Sequence, residues 1–185
     1  MKNHRLQLIV IIALLIVLVI AVTGVGAAPK EGPSVNLTTS QGKFSSIEEV
    51  MVTVTITNPG SNSIRILKWF TPVNGVEEPL FSVKRNGEPI SYIGAIYKRP
   101  AATGNDYITL KAGQSLSYKV NLGEYYDLSQ SGNYDISYAV SSYNLYSEKG
   151  NGFKFQDSLA SGSISLKVEG RAGNGKATPP PPPVG

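Results

Sequence analysis

The fold is decided by the stretch VMVTVTIT, residues 50–57, in which apolar side chains alternate with mostly hydroxyl-bearing ones. A period of two places the two kinds on opposite faces of a half-buried β-strand. The next five residues, NPGSN at 58–62, are typical of a turn. Beyond the first 27 residues, no segment has the apolar spacing that predicts a helix.

The same pattern of short alternating segments and turns continues along the chain. It predicts further strands at residues 63–69, 80–85, 89–93, 107–110, 115–122, 134–140 and 163–168. Asn86-Gly87 predicts a tight hairpin, because both residues accept positive φ angles. Seven to nine strands of this kind predict an all-β fold, an antiparallel immunoglobulin-like β-sandwich.

Residues 128–134 resemble a tyrosine corner, in which Tyr134 bonds back to the loop before its strand. The alternative is that Tyr134 is simply one of the ten tyrosines of a β-rich protein.

Three regions are predicted from the composition. Residues 1–27 are typical of a signal peptide, with Lys2 and Arg5 before an apolar run of 15 residues at 8–22, and with cleavage expected after Ala27. An uncleaved membrane anchor is the alternative. Residues 28–170 form the predicted β-sandwich domain, and residues 171–185 a flexible Gly/Pro-rich tail with a pentaproline at 179–183. That pentaproline fits a spacer, or a ligand for an aromatic groove.

Composition excludes several kinds of chemistry. His4, within the predicted signal peptide, is the single histidine, and the chain has no cysteine. The mature chain would therefore lack the usual nitrogen and sulfur metal ligands and any thiol nucleophile. The formal charge of +4 falls to +2 without Lys2 and Arg5, because 15 basic residues then face 13 acidic ones. This balance does not favour nucleic-acid binding.

Carboxylates are the remaining candidates for catalysis or cation binding. Glu48-Glu49, Glu77-Glu78 and Asp106 fall in predicted loops, but their spacing selects no acid/base pair. A Ca²⁺ site would need a denser cluster of oxygen ligands. Asn36 begins an N-glycosylation motif, which has meaning only in a eukaryotic secretory route. We predict no catalytic residue, no cofactor and no metal site.

Two segments favour contact with another protein. Residues 66–75 carry Trp69, the single tryptophan, and run out of a predicted strand into a loop with a Pro and a Gly. Trp69 is equally consistent with packing in the core. Residues 92–100 are mostly apolar up to Lys98 and Arg99 and predict an edge strand that pairs with a second chain.

Short motifs in a fixed order carry a family resemblance over roughly residues 33–140. They are Ile66-Leu67-Lys68-Trp69, Thr71-Pro72, Glu77-Glu78, Leu80-Phe81, Asn86-Gly87, Tyr92, Lys98-Arg99 with Ala101, Asp106-Tyr107, Tyr126-Asp127-Leu128, Gly132 and Tyr134. In these motifs the chain resembles the β-rich prodomain of deuterolysin-type zinc endopeptidases, including the peptidyl-Lys metalloendopeptidases. The resemblance implies a domain that packs on the protease, covers its cleft and keeps it inactive.

The chain also departs from that family. Its proteases bind zinc through a His-Glu-x-x-His helix and a downstream aspartate, whereas no histidine follows His4 here. We therefore expect a non-catalytic inhibitory domain that stands alone, secreted or otherwise outside the cytoplasm. It would bind a secreted zinc metalloendopeptidase and contact a membrane only through an uncleaved N-terminus. The expected protein-binding residues are Trp69, Phe70, Thr71, Pro72, Ile96, Tyr97, Lys98 and Arg99.

Two other function classes remain open from the residues alone. One is a structural or adhesive immunoglobulin-like module of the cell envelope, for which the pentaproline would be a stalk. The other is an enzyme that uses carboxylates.

Overall fold

The computed structural model describes residues 32–148 and 154–170. The predicted signal peptide at 1–27, with His4, and the predicted tail at 171–185 lie outside the described residues. Within the described residues, no helix has both the length and the apolar character needed to cross a membrane.

Regular structure in the described residues consists of ten β-strands and three short 3₁₀ turns. The strands are β1 (Ser34–Thr39), β2 (Lys43–Phe44), β3 (Met51–Thr57), β4 (Ile64–Leu67), β5 (Phe81–Arg85), β6 (Glu88–Pro89), β7 (Tyr107–Leu110), β8 (Ser115–Asn121), β9 (Gly132–Glu148) and β10 (Lys154–Val168). The turns are Lys68–Phe70, Gly104–Asp106 and Leu122–Glu124. The all-β prediction is confirmed.

The smaller sheet has the order β1-β3-β8, with both pairs antiparallel. The alternating residues of β3 behave as predicted: Val52, Val54 and Ile56 are fully buried. Burial of each such side chain contributes about 1.5–3 kcal/mol. On the opposite face the Thr55 and Thr57 hydroxyls bond across the sheet to serines of β8, each at 2.8 Å.

The larger sheet is organised by β9, which is 17 residues long and has two partners along one edge. β5 pairs with its first part, from Tyr134 to Tyr138, and β4 with its last part, from Tyr146 to Glu148. β10 pairs along the other edge. The chain between β4 and β5, residues 68–80, therefore crosses from one part of β9 to the other, and it carries part of the site described below.

One strand pair departs from the antiparallel prediction. β2 pairs parallel with β10, through Lys43 opposite Lys167 and Phe44 opposite Val168. This pairing buries Phe44, which is 2% exposed.

Side chains from both sheets form a single hydrophobic core cluster. Its largest fully buried members are Tyr126, Tyr134, Tyr138, Phe44, Ile56, Ile64, Ile66, Leu80, Leu110, Leu122, Ile136 and Leu145. Two sheets around one core account for the period of two along most strands. The immunoglobulin-like arrangement of the strands stays a prediction.

Two local predictions are confirmed. Tyr134 is buried and its hydroxyl donates to the Gln130 carbonyl at 2.7 Å, which is the bond expected of a tyrosine corner. Asn86 and Gly87 have φ angles of 50° and 91° and join β5 to β6 as a hairpin.

Five strand predictions need correction. The predicted strands at 134–140 and 163–168 are too short, because β9 and β10 extend over Gly132–Glu148 and Lys154–Val168. The predicted strand at 63–69 ends at Leu67, where the 3₁₀ turn begins, and the predicted strand at 89–93 shrinks to Glu88–Pro89. Residues 92–100 form no edge strand, since their ladder is reduced to one bridge between Tyr92 and Tyr126. Side-chain anchors, described next, hold this segment in place of a ladder.

Candidate functional site

The two segments predicted to contact another protein are brought together by Arg99. Its guanidinium carbon lies 4.9 Å from the centroid of the Trp69 ring and 5.1 Å from that of Tyr97. A guanidinium group over aromatic faces at this distance forms a cation–π contact. The 3₁₀ turn that contains Trp69 is thereby joined to the segment that contains Arg99.

Two carboxylates complete the environment of Arg99. Its Nη2 donates to Glu77 Oε2 at 2.6 Å and its Nε donates to Glu78 Oε1 at 3.2 Å. Glu77 is 5% exposed, and a carboxylate at that depth needs a compensating cation. We call Arg99, Trp69, Tyr97, Glu77 and Glu78 the Arg99 cluster.

Tyr92 fixes the beginning of the segment that leads to Arg99. Its ring stacks on Tyr125 with a centroid separation of 6.3 Å and an interplanar angle of 2°, and it meets Tyr126 edge-on at 5.6 Å. Its hydroxyl donates to the carbonyls of Ala95 at 3.2 Å and Val76 at 3.4 Å. Burial raises the pKa of Tyr92, so its hydroxyl keeps its proton and stays a donor at neutral pH.

Gly94 is required by the packing around Tyr92. A Cβ added at residue 94 would overlap the hydroxyl and ring of Tyr92. The chain therefore passes directly over the tyrosine, and only glycine permits that approach.

The far end of the segment is held by a capping box. The backbone N–H and the hydroxyl of Thr103 both donate to Asp106 Oδ2 at 2.7 Å. The hydroxyl bond to Thr103 is the main cause that lowers the pKa of Asp106.

Two cations from the β4 region also reach this end of the segment. Arg65 Nη2 donates to the Gly104 carbonyl at 2.9 Å, and Lys68 Nζ donates to the Asn105 carbonyl at 2.8 Å. We call residues 93–103 the anchored segment, because it is fastened at both ends and at Arg99.

The backbone of the anchored segment is otherwise unpaired. Within the described ranges 32–148 and 154–170, no backbone–backbone hydrogen bond involves residues 94–102. Apart from the Ala95 carbonyl, which accepts from the Tyr92 hydroxyl, its peptide groups at 94–102 are therefore available to another chain. The segment is held on the domain by side chains and, at its start, by the bond from the Ile93 N–H to the Tyr125 carbonyl at 2.8 Å.

The predicted contact residues differ in exposure. Ile96 is 80% exposed and Lys98 is exposed, whereas Trp69, Tyr97 and Arg99 are half-buried. Trp69 thus lies between its two alternatives, because it is half-buried and the Arg99 guanidinium lies over its ring. Every one of these five residues has a surface that a partner can reach.

The remaining three predicted contact residues lie deeper. Thr71 is 1% exposed, and its hydroxyl donates to the Lys68 carbonyl at 2.8 Å, closing the 3₁₀ turn. Pro72 is buried. Phe70 packs against the core and its carbonyl accepts a hydrogen bond from Tyr138 at 2.5 Å. These residues position Trp69. The side chains of Thr71 and Pro72 are not free for a partner, whereas Phe70 is half-buried, as Trp69 is.

The other carboxylates named from the sequence serve local structure. Glu48 accepts from the backbone N–H of Ser45 at 2.6 Å and from Gln41 Nε2 at 3.2 Å. In the described part of the chain, no three His, Cys, Asp or Glu residues are grouped in a way that could hold a metal ion.

Sequence reasoning missed the role of the tyrosine group under the anchored segment. Tyr92 entered as the start of the predicted edge strand and through the resemblance, Tyr126 entered only through the resemblance, and Tyr125 was not singled out. The adjacent pair Tyr125-Tyr126 is a usable signal, because two neighbouring tyrosines that are both buried must each find a packing partner and a polar contact.

Comparison with known proteins relates the chain to an extracellular protease. No protein-family model matches it. Over 151 residues it is 38% identical to the extracellular protease of Aeromonas hydrophila. The alignment covers 80% of this chain and 42% of the relative, so the chain spans about two fifths of the relative's length. The predicted link to extracellular proteases is confirmed, and the deuterolysin-type prodomain remains a resemblance.

Proposed function

We propose that residues 28–170 are a non-catalytic domain that binds a secreted protease and blocks its active-site cleft. The observation that carries this proposal is the anchored segment, whose residues 94–102 form no backbone–backbone hydrogen bond within the described part of the chain while its side chains are fastened to the domain. A protease cleft binds a substrate through main-chain hydrogen bonds along an extended chain. A segment with free peptide groups and a fixed course offers such a cleft the same contacts.

Rigidity favours inhibition over cleavage. A bound substrate must distort at the scissile peptide to reach the transition state. The cation–π contacts and ion pairs of Arg99 oppose that movement, and they also lower the entropy lost on binding. The anchored segment is therefore expected to bind well and to be cut slowly.

The proposed lack of catalysis rests on the residue inventory. The sequence has one histidine, at residue 4, and no His-Glu-x-x-His motif. Glu77 and Glu78 are ion-paired with Arg99, and Asp106 accepts a hydrogen bond from Thr103. These carboxylates therefore stabilise the local structure.

We also propose that the protein acts outside the cytoplasm. The residues at 1–27 are typical of an export signal, and the A. hydrophila relative is named as an extracellular protease. A domain that acts on a secreted protease must meet it outside the cytoplasm.

The test is a titration of protease activity with the exported protein, expressed from the full-length sequence. The two target enzymes are the A. hydrophila extracellular protease and a lysine-specific zinc endopeptidase, each assayed on a peptide substrate. We expect inhibition at a one-to-one ratio, competitive with the substrate, and an uncut chain after the assay.

A matched pair of variants ties the inhibition to the anchored segment. Arg99→Ala removes the central anchor and should weaken inhibition. Lys43→Ala breaks the exposed ion pair with Glu169 and should leave inhibition unchanged. Failure to inhibit either enzyme, or any protease secreted by the same organism, would overturn the proposal and favour the envelope module.

A further inference from the structure

The anchored segment has two different sides. From residue 96 to residue 100 the side chains alternate between exposed and half-buried, with Ile96, Lys98 and Pro100 exposed and Tyr97 and Arg99 half-buried. Alternation with a period of two is the property of an extended chain. The burial pattern of residues 96–100 is thus that of an extended chain, although no backbone–backbone hydrogen bond joins them to a neighbour within the described residues.

The inner side of this stretch is already occupied. Arg99 stacks on Tyr97 and on Trp69 and is ion-paired with Glu77 and Glu78. These contacts fix which side chains face the domain. A shift of the stretch by one residue would bury Lys98 and expose Arg99. The buried Glu77 carboxylate would then lose its cation.

The outer side presents a large apolar residue and a cation. Ile96 is 80% exposed, whereas Ile56, Ile64, Ile66 and Ile136 are buried in the core. Lys98 lies two residues further along, and no salt bridge within the described residues involves it. A partner with an apolar pocket beside a carboxylate would be complementary to this surface in shape and charge.

We propose that Ile96 and Lys98 are the two residues that enter the protease cleft, and that Lys98 determines which protease is bound. This inference rests on the proposed function. The partner cleft then has an apolar pocket for Ile96 and an acidic pocket for Lys98. Two residues of extended chain span about 7 Å, so the two pockets are about 7 Å apart.

The chemistry of the acidic pocket follows from the length of Lys98. A lysine extends its charge on a flexible four-carbon stem, so it reaches a carboxylate at the bottom of a deep and narrow pocket. Its position next to Arg99 keeps it in place, because the neighbouring side chain is clamped on the opposite side. Lys98 then determines the specificity, and the clamped side chain of Arg99 holds the backbone of Lys98 in place.

The experiment measures the inhibition constants of single variants and the wild-type protein against the same two enzymes. Ile96→Ala and Lys98→Ala remove the proposed contacts. Ile47→Ala and Lys111→Ala are the controls, because Ile47 is 91% exposed and Lys111 is exposed, and both lie in other loops. All four changes affect exposed side chains, so the fold should be preserved, and circular dichroism verifies this.

We expect Lys98→Ala to weaken inhibition about 30-fold and Ile96→Ala about 10-fold, which is the usual size of a hot-spot effect. The controls should change it less than about twofold. Lys98→Glu should abolish inhibition, because a carboxylate would face an acidic pocket.

The failure of this inference is distinguishable from the failure of the proposed function. If the wild-type protein inhibits but Ile96→Ala and Lys98→Ala behave as the controls do, the domain binds a protease through other residues and this inference is wrong. If the wild-type protein inhibits neither enzyme nor any protease of its own organism, the proposed function falls, and this inference falls with it.

Discussion

The guanidinium group of Arg99 lies 2.6 Å from the buried carboxylate of Glu77, and this ion pair fastens the anchored segment to the loop between β4 and β5. The two residues are 22 positions apart in the sequence. The pair therefore fixes the position of a surface segment relative to the core. A partner would meet a segment whose shape is set before binding.

Loss of Arg99 should destabilise the domain. Arg99→Met removes the cation and leaves the Glu77 carboxylate buried without a partner, which should cost about 2–4 kcal/mol in the free energy of unfolding. Urea denaturation of the variant measures this loss. The double variant Arg99→Met, Glu77→Gln should regain part of it, because a neutral amide costs less to bury than an unpaired carboxylate. Additive effects of the two single changes would contradict a direct interaction.

Gly94 should not tolerate a side chain. Gly94→Ala would place a methyl group against the hydroxyl and ring of Tyr92, so either the tyrosine or the anchored segment must move. We expect a lower melting temperature and weaker inhibition, measured by differential scanning calorimetry and the protease assay. Gly42→Ala is the matched control, because an added Cβ at residue 42 meets no atom within 4 Å. Equal behaviour of the two variants would argue against close packing at residue 94.

Acid should release the far end of the anchored segment. Bonding to Thr103 lowers the pKa of Asp106 in the folded state, so the capping box contributes stability above the unfolded pKa of about 3.9. That contribution is lost as pH falls through the lower folded pKa. Asp106→Asn should thus be less stable than wild type at pH 6, and the difference should shrink at pH 2. Thermal denaturation at both values measures it, and a difference independent of pH would speak against a titrating carboxylate.

Strong alkali should destabilise the tyrosine group. Burial raises the pKa of Tyr126 to about 12, compared with about 10 in an unfolded chain. The folded state therefore keeps a proton that the unfolded state loses, and stability falls as pH rises from about 10 to 12. Two pKa units correspond to about 2.7 kcal/mol.

Tyr126→Phe isolates that contribution. The phenylalanine cannot ionise, so stability should fall less between pH 10 and 12 than in the wild type, as followed by urea denaturation. At pH 8 the variant should be less stable by about 1 kcal/mol, because the N–H and carbonyl of Phe81 lose their bonds to the hydroxyl. The control Tyr143→Phe, at a ring that is 82% exposed, should keep wild-type stability at pH 8. Identical alkaline curves for wild type and Tyr126→Phe would contradict this account.

The strands could be predicted where a local period decides them. Residues 107–110 form β7 with the predicted bounds, and the alternation at 50–57 gives β3 within one residue. β1 was missed because SVNLTT offers only Val35 and Leu37 as apolar signals. β2 has two residues and exists only because β10 lies beside it, which no local pattern encodes.

The sequence predicted the two segments of the candidate site separately, but it could not predict that Arg99 joins them. Arg99 was expected to cap an edge strand, whereas its contacts with Glu77 and Trp69 depend on how residues 68–80 cross β9. Local spacing contains no information on such a long-range pair. The apolar run at 92–97 matched a strand in composition, but Tyr92 found its partners through its ring and hydroxyl.

The most direct test of the central claim is hydrogen–deuterium exchange of the wild-type protein, alone and with a saturating amount of a catalytically inactive protease variant whose cleft is empty. The amides of residues 94–99, 101 and 102 are unpaired within the described residues and should exchange rapidly in the free protein. We predict that they become protected in the complex, while the exposed edge at 115–121 stays unchanged. Protection at 115–121 with continued rapid exchange at 94–102 would contradict the claim that the anchored segment occupies the cleft.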